Sequence, residues 1–204
     1  MNPGEGTASW FLARHGIPTC SVLDDVMSEG KKPGTPGARF LSLVDLKAWE
    51  VLSGQTYSGG TGYAAQRGIE LEPVALKIYA ESRGIELTKP GFMRHPTLAF
   101  GGSPDAIAAD GHAIEVKCPE TPVQVIRVRL GDYDCYRDQC QGHMSVTGAK
   151  WCALVLYDDR LPPDLALTVI RIDQDEEHIG KIEARVRLFN EAVKQRVDEF
   201  RRAT

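Results

Sequence analysis

The residues best suited to chemistry lie between Ser103 and Pro119, in the run Ser-Pro-Asp-Ala-Ile-Ala-Ala-Asp-Gly-His-Ala-Ile-Glu-Val-Lys-Cys-Pro. Asp105 is followed ten positions later by Glu115, and Lys117 lies two beyond that. Asp110-Gly111 between two short apolar runs marks a hairpin turn, and the register decides which side chains meet. A two-residue loop would pair Ala109 with His112 and put Asp105 and Glu115 on opposite faces. A three-residue loop, Ala109-Asp110-Gly111 with Gly111 left-handed, pairs Ala108 with His112 and sets Asp105 across from Glu115. Lys117 then shares that face, while Ala106 and Ile114 pair on the other. The three-residue loop is the expectation. Facing carboxylates repel, and a Mg²⁺ or Mn²⁺ ion, which takes oxygen ligands, would remove that cost. With an ammonium alongside, the chemistry would be metal-assisted cleavage of phosphodiesters. On the two carboxylates alone, a solvated hairpin with a chance Lys–Glu pair remains open.

Two further groups of residues could serve such a site. Glu72, four residues after Gly68, would share a helix face with Gly68, Ile69, Ala75, Leu76 and Tyr79. A charge in that stripe needs a partner. Pro73 disfavours helical geometry at Glu72, so a kink or a helix start is expected there. Arg14, with Ser21 at the start of a short helix, suits a phosphate pocket, because guanidinium forks match phosphates and helix N-termini attract anions. The plain alternative is a surface arginine and a capping serine.

The elements that must hold these residues follow from pattern. Short helices are expected at 8–16, ending at Gly16, and near Ser21, capped by Thr19 or Ser21. Residues 29–37 read as a loop, 38–52 as a helix closed by Gly54, and a glycine-rich stretch at 58–62 precedes a helix running to Gly84. Short β runs fill 92–117. A short helix follows Thr121, a longer one covers 133–147, and strands follow at 151–157 and 165–172. Ile179, Ile182, Val186, Phe189 and Val193 form one apolar stripe on a helix over 175–201, packed on the body or, alternatively, forming an oligomer seam. This order predicts an α/β (mixed α+β) fold with a central mixed sheet flanked by helices. The expected organisation is one domain over 1–204, with a helical part at 1–60, a core at 61–174 and a C-terminal helix at 175–204.

Composition sets limits. The 204 residues, 42% of them hydrophobic, suffice for a sizeable core. A net charge of −4 excludes a uniformly basic nucleic-acid coat, so any DNA contact must come from local Lys and Arg clusters. No apolar run could span a bilayer and the first residues lack signal-peptide character. Five scattered cysteines without a Cys-x-x-Cys pair point to a reduced, cytoplasmic setting, and give no grouping for an iron–sulfur cluster. Neither Gly30-Lys31-Lys32 nor the glycines at 59–62 make a phosphate-binding loop, and no His-Glu-x-x-His zinc spacing occurs. Cys118 is read as a small buried residue rather than a nucleophile.

Pro104-Asp105 with Glu115-Val116-Lys117 resembles the PD-(D/E)XK nuclease motif. More narrowly, Ser-Pro-Asp-x9-Glu-Val-Lys-Cys-Pro resembles the lambda-exonuclease, or YqaJ-like viral recombinase, family. The likeness extends to Arg14-His15-Gly16-Ile17-Pro18-Thr19-Cys20-Ser21, to Arg67-Gly68-Ile69-Glu70-Leu71-Glu72-Pro73 and to Tyr136-x2-Gln139-x-Gln141. The resemblance implies a restriction-endonuclease-like core with Glu72, Asp105, Glu115, Lys117 and Gln139 as active-site residues. Asp105, Glu115, the carbonyl of Val116 and Glu72 would hold two Mg²⁺ ions, with Mn²⁺ able to substitute. Lys117 would orient the attacking water, and Arg14 and Ser21 would capture a 5′-terminal phosphate. Tyr136 and Gln141 are left as supporting residues. The implied activity is 5′-to-3′ digestion of linear duplex DNA to mononucleotides by a homotrimer. It would leave 3′ tails for a single-strand annealing protein in phage-type recombination. Two alternatives stand beside it: a non-processive PD-(D/E)XK endonuclease of restriction or repair type, and a catalytically silent DNA-binding recombination protein.

Overall fold

The computed structural model describes residues 2–4, 6–57 and 62–203. Most of the glycine-rich stretch, 58–61, lies outside the described residues. The chain opens with α1 (Ala8–Ala13), a 3₁₀ turn (Cys20–Val22), α2 (Leu23–Met27), α3 (Ala38–Ser53) and α4 (Tyr63–Arg83). Then come β1 (Leu87–Thr88), β2 (Met93–Arg94), β3 (Gly101–Gly102), β4 (Ala106–Ala108) and β5 (Ala113–Lys117). The chain finishes with α5 (Pro122–Arg129), α6 (Asp134–Thr147), β6 (Trp151–Tyr157), α7 (Pro163–Ala166), β7 (Leu167–Asp173) and α8 (Glu176–Ala203).

Local chemistry sets several of these boundaries. Gly54, at φ 71°, closes α3 in the left-handed conformation open to glycine. Thr121 caps α5 by accepting from the Gln124 amide at 3.3 Å. Of the two outcomes expected at Pro73, the helix start is absent: α4 runs through it. The lost donor falls to the carbonyl of Ile69 on an exposed turn that solvent can reach, while Ala75, Leu76 and Tyr79 anchor the next turns in the core. The first helix stops at Ala13, short of Gly16, and α7 occupies 163–166 where the last strand was expected to begin.

The five-stranded sheet has the order β1-β4-β5-β6-β7. Only β5 and β6 run parallel; the other pairs are antiparallel, so the sheet is mixed. The parallel pair needs a crossover, which α5 and α6 supply. The β4–β5 register pairs Ala106 with Ile114 and Ile107 with Ala113, leaving 109–111 as the loop. Gly111, at φ 90°, donates its amide to the Ala108 carbonyl at 2.8 Å, and Ala108 donates to the His112 carbonyl at 3.0 Å. The three-residue loop is therefore present. Alternation then decides the faces: Ala106, Ala108, Ile114 and Val116 pack with Ala75, Leu76 and Tyr79 of α4, whereas Ala113 packs with Cys140 and Met144 of α6.

The stripe on α8 is buried against α2 and α3 from Ile182 onward, with Phe189 edge-on to Phe40 at 5.3 Å, while Ile179 packs with Cys140 and Met144 of α6. Each such side chain contributes about 1.5–3 kcal/mol through burial. No helix among the described residues is long and apolar enough to cross a membrane.

Close approach also limits α6. A Cβ on Gly142 would collide with Leu23 Cδ1 and stand 3.2 Å from Cys20 Sγ, and both neighbours are fully buried. Gly142→Ala gains about 1 kcal/mol of helix propensity but costs about 1–3 kcal/mol in overpacking. The expected net result is a fall in Tm of a few degrees. Gly180→Ala on α8, where nothing stands within 4 Å, should instead raise it. Equal shifts at the two sites in thermal melts would refute this account.

Candidate active site

A sheet face covered by a helix is ordinarily apolar, yet β5 places Glu115 and Lys117 on the face that α6 covers. Helix α6 answers with Gln139 and His143, one turn apart on one side. Glu115, 3% exposed, accepts from Gln139 Nε2 at 2.6 Å and from Lys117 Nζ at 2.7 Å through Oε1, and pairs with His143 Nε2 at 2.9 Å through Oε2. Burial alone would raise its pKa; Lys117 and His143 outweigh burial and hold it at about 2. The Lys117 ammonium faces the same contest: burial lowers its pKa, and Glu115 and Asp105 overcome that and hold it above the ordinary value. Gln139 closes the ring, since its Oε1 accepts from Lys117 Nζ at 3.0 Å. An amide that donates its N–H to Glu115 and accepts a hydrogen bond from Lys117 satisfies both ions at once. The Tyr136 ring lies 5.3 Å from Lys117 Nζ and its hydroxyl meets Gln124 Nε2.

Asp105 stands just before β4, and its Oδ2 accepts from the Val116 amide at 2.6 Å, replacing a main-chain partner where the strand ends. N–H and C=O of one strand residue point to the same side, so the Val116 carbonyl is directed past the end of β4 beside Asp105. Burial, then the charge of Glu115, then that of Glu72 push the Asp105 carboxyl well above its ordinary pKa. The site therefore carries more negative charge than its own cations offset at Asp105.

Glu72 is placed differently from the sequence expectation. It lies on the rim of the buried face of α4 rather than within it: Ala75, Leu76 and Tyr79 are buried, but Ile69 is exposed. Its Oε1 takes a 2.7 Å bond from Lys89 Nζ. It contributes charge to Asp105 without touching it. Among the described residues, no three His, Cys, Asp or Glu side chains stand together as a closed ligand set.

A cavity of about 180 Å³ joins Asp105, Gln139 and His143 to Arg14, Thr19 and Ser21. The Arg14 guanidinium lies 3.9 Å over the Trp10 ring, and Trp10 Nε1 donates to Ser103 Oγ at 3.1 Å, two residues before Asp105. Ser21 does not start a helix; it sits inside the 3₁₀ turn, and its Oγ meets Thr19 Oγ1 at 3.0 Å. The expected pull of a helix N-terminus is absent because α2 is only five residues long. Attraction for an anion must come from Arg14 and the hydroxyls.

Three residues around this site, Trp10, Ser103 and His143, were not expected. Of these, His143 left a signal: it stands four positions after Gln139 and so on the same helix face. Gln141 braces the fold instead, donating to the Asp173 carbonyl and accepting from the Asp175 amide. All five cysteines are free. Burial pushes the Cys118 thiol up to about 11, against the pull of Arg67, which suits a packing residue and not a nucleophile.

Residues 9–150 match the model of the YqaJ-like viral recombinase domain. Among solved structures, an alkaline exonuclease (LHK-Exo) from Laribacter hongkongensis is 34% identical, with 97% of each chain covered and a TM-score of 0.86. The same figures hold for LHK-Exo in complex with dAMP. A phage-related exonuclease from Haemophilus somnus 129PT, at 21% identity, covers 90% of this chain and 96% of its own with a TM-score of 0.73, a likeness of fold. No curated protein sequence matches. The fold is the PD-(D/E)XK core, and with the model spanning 9–150 the chain belongs to the YqaJ-like viral recombinase family.

Proposed function

We propose that the protein is a Mg²⁺-dependent exonuclease that digests one strand of linear duplex DNA from its 5′ end, releasing mononucleotides and leaving 3′ single-stranded tails. The observation that carries this reading is the shared cavity: the acidic end of the β4–β5 hairpin opens onto the same space as Arg14. Strand cleavage and capture of a terminal phosphate then belong to one site. The likeness to an alkaline exonuclease, LHK-Exo, and that enzyme's complex with dAMP support a mononucleotide product.

The donor set fits a divalent cation, because all the candidate ligands are hard oxygens and Asp105 sits where negative charge is in excess. Asp105, Glu115 and the Val116 carbonyl would hold the ions, two in this reading, with Glu72 joining after leaving Lys89. Bound there, they supply Lewis-acid charge to the scissile phosphate and its leaving oxygen. Of the three protons on Lys117 Nζ, two are committed to Glu115 and Gln139. The remaining one can orient a water for in-line attack or meet charge developing on the phosphate. Held protonated by Glu115, Lys117 serves as a donor, and Gln139 keeps it aimed. The assembly proposed is a homotrimer around duplex DNA, delivering its tails to a single-strand annealing protein.

Digestion of 5′-end-labelled linear duplex with and without Mg²⁺ tests this. The label should be released first, as a mononucleotide, only with the metal, and covalently closed circles should survive. Cutting of closed circles would favour an endonuclease, and no digestion at all a silent binding protein.

A further inference from the structure

Beyond the cavity itself, the segment that carries Arg14 is tied down on both sides of that residue. Thr56 Oγ1 donates to the Phe11 carbonyl at 3.1 Å and meets His15 Nδ1 at 3.2 Å. Arg94 Nη2 donates to the Ala13 carbonyl at 2.8 Å. The Gly16 amide donates to Glu50 Oε2 at 2.9 Å. Gly16 takes a φ of 68° and lies so close to Val51 that a Cβ there would stand 2.7 Å from Val51 Cγ2.

Glu50 is the centre of this arrangement. It is fully buried on α3, where packing alone would call for an apolar residue. Lys47 Nζ contacts both its oxygens at 3.0 Å, and besides Gly16 it accepts from the Tyr57 amide at 3.1 Å through Oε1. A buried carboxylate is costly unless its lone pairs are filled. Here two of its donors are main-chain groups from separate segments, one of them two residues from Arg14. The side chain thus fastens the 14–16 turn and the chain beyond α3 to a single point.

We propose that Glu50 is a positioning residue for recognition of DNA ends: by anchoring the main chain beside Arg14, it holds the guanidinium over the cavity that leads to Asp105. This rests on the reading of that cavity as a 5′-phosphate pocket. Glu50 is fully buried and does not line the cavity, so its role is to position and not to bind. Glu50→Gln keeps the shape but replaces one acceptor oxygen by a donor, so Gly16 or Tyr57 loses its partner.

The test is the ratio of kcat/KM on duplexes with 5′-phosphate and 5′-hydroxyl ends, for wild type, Arg14→Ala, Glu50→Gln, Thr56→Val and the Arg14→Ala/Glu50→Gln double variant. A loss of folded protein lowers both rates together and leaves the ratio alone. Wild type should prefer phosphate and Arg14→Ala should lose the preference. Glu50→Gln should reduce the ratio roughly tenfold, mostly through KM for phosphorylated ends, as misplacement of a binding group by a fraction of an ångström would do. Thr56→Val should reduce it in the same direction by less, and the double variant should fall no further than Arg14→Ala. If Arg14→Ala removes the preference while Glu50→Gln and Thr56→Val keep the wild-type ratio, the positioning role is overturned and the pocket stands. A wild type without preference overturns the pocket, and the proposal with it. Should Glu50→Gln not accumulate as folded protein, Thr56→Val decides alone.

Discussion

Asp105→Asn is expected to lower Mg²⁺-dependent turnover by on the order of 10²–10³-fold while making the metal-free protein more stable at alkaline pH. The two effects share one cause. Burial, Glu115 and Glu72 raise the Asp105 pKa in the folded state, so folding favours the protonated acid. That contribution is fully present below the unfolded pKa of about 4 and is lost as pH rises through the folded value. Above it, wild type bears a repelled carboxylate that the amide lacks. Asn can still accept from the Val116 amide, so the bond that ends the β4 ladder is kept. The gain should therefore be seen near pH 8 in the absence of divalent ions and vanish near pH 4. Mg²⁺ should stabilise wild type and leave the variant unmoved. Thermal melts at the two pH values, beside single-turnover digestion, check this. A variant that melts lower than wild type at pH 8 would show that Asp105 serves the fold and not a cation.

Much of this was legible in the sequence because the strand period is short and the turn chemistry strict. Asp110-Gly111 marks the turn, and a period of two ties each loop length to one facing; of the two lengths the sequence allows, the expected three-residue loop that sets Asp105 across from Glu115 is the one present. The α8 stripe was equally readable, since one apolar face has only one economical place to go. Glu72 was harder. Periodicity counts which residues share a helix face but not where the neighbouring sheet ends, so the rim position and the bond to Lys89 could not be read. Pro73 did not start a helix because the rule about the residue before proline is local, whereas α4 is held by its packing on the sheet. Glu50 was missed because it is a polar residue buried for partners on separate segments, and such pairing leaves no periodic trace; His143 shares the Gln139 face of α6, but periodicity does not show that its partner is Glu115. Trp10 and Ser103, 93 positions apart and hydrogen-bonded, are the extreme case.

Glu115→Ala should lower Mg²⁺-dependent cleavage at least as far as Asp105→Asn but carry the opposite sign in stability. Three donors converge on Glu115: Lys117, Gln139 and His143. Removing the acceptor leaves a buried ammonium and a buried imidazole without their anion, which costs about 3–5 kcal/mol. At about 2–4 °C per kcal/mol for a chain of this size, Tm should fall by on the order of 10 °C. The loss has a pH window. The folded pKa of Glu115 is about 2 against an ordinary 4.5, so its contribution is complete above pH 4.5 and drains away as pH falls toward 2. Burial opposes protonation of His143, yet Cys20 and Glu115 lift its pKa well above 6.5. That contribution is complete below 6.5 and is lost as pH rises through the folded value. In the variant, burial acts on His143 without the carboxylate to oppose it. The gap between wild type and Glu115→Ala should therefore be widest between about pH 4.5 and 6.5, narrow toward pH 2, and narrow again on the alkaline side. Glu115→Gln, which keeps one acceptor oxygen, should lie between the two. A gap that stays constant from acid to alkaline pH would mean that Glu115 holds the sheet to α6 by shape alone, without its charge.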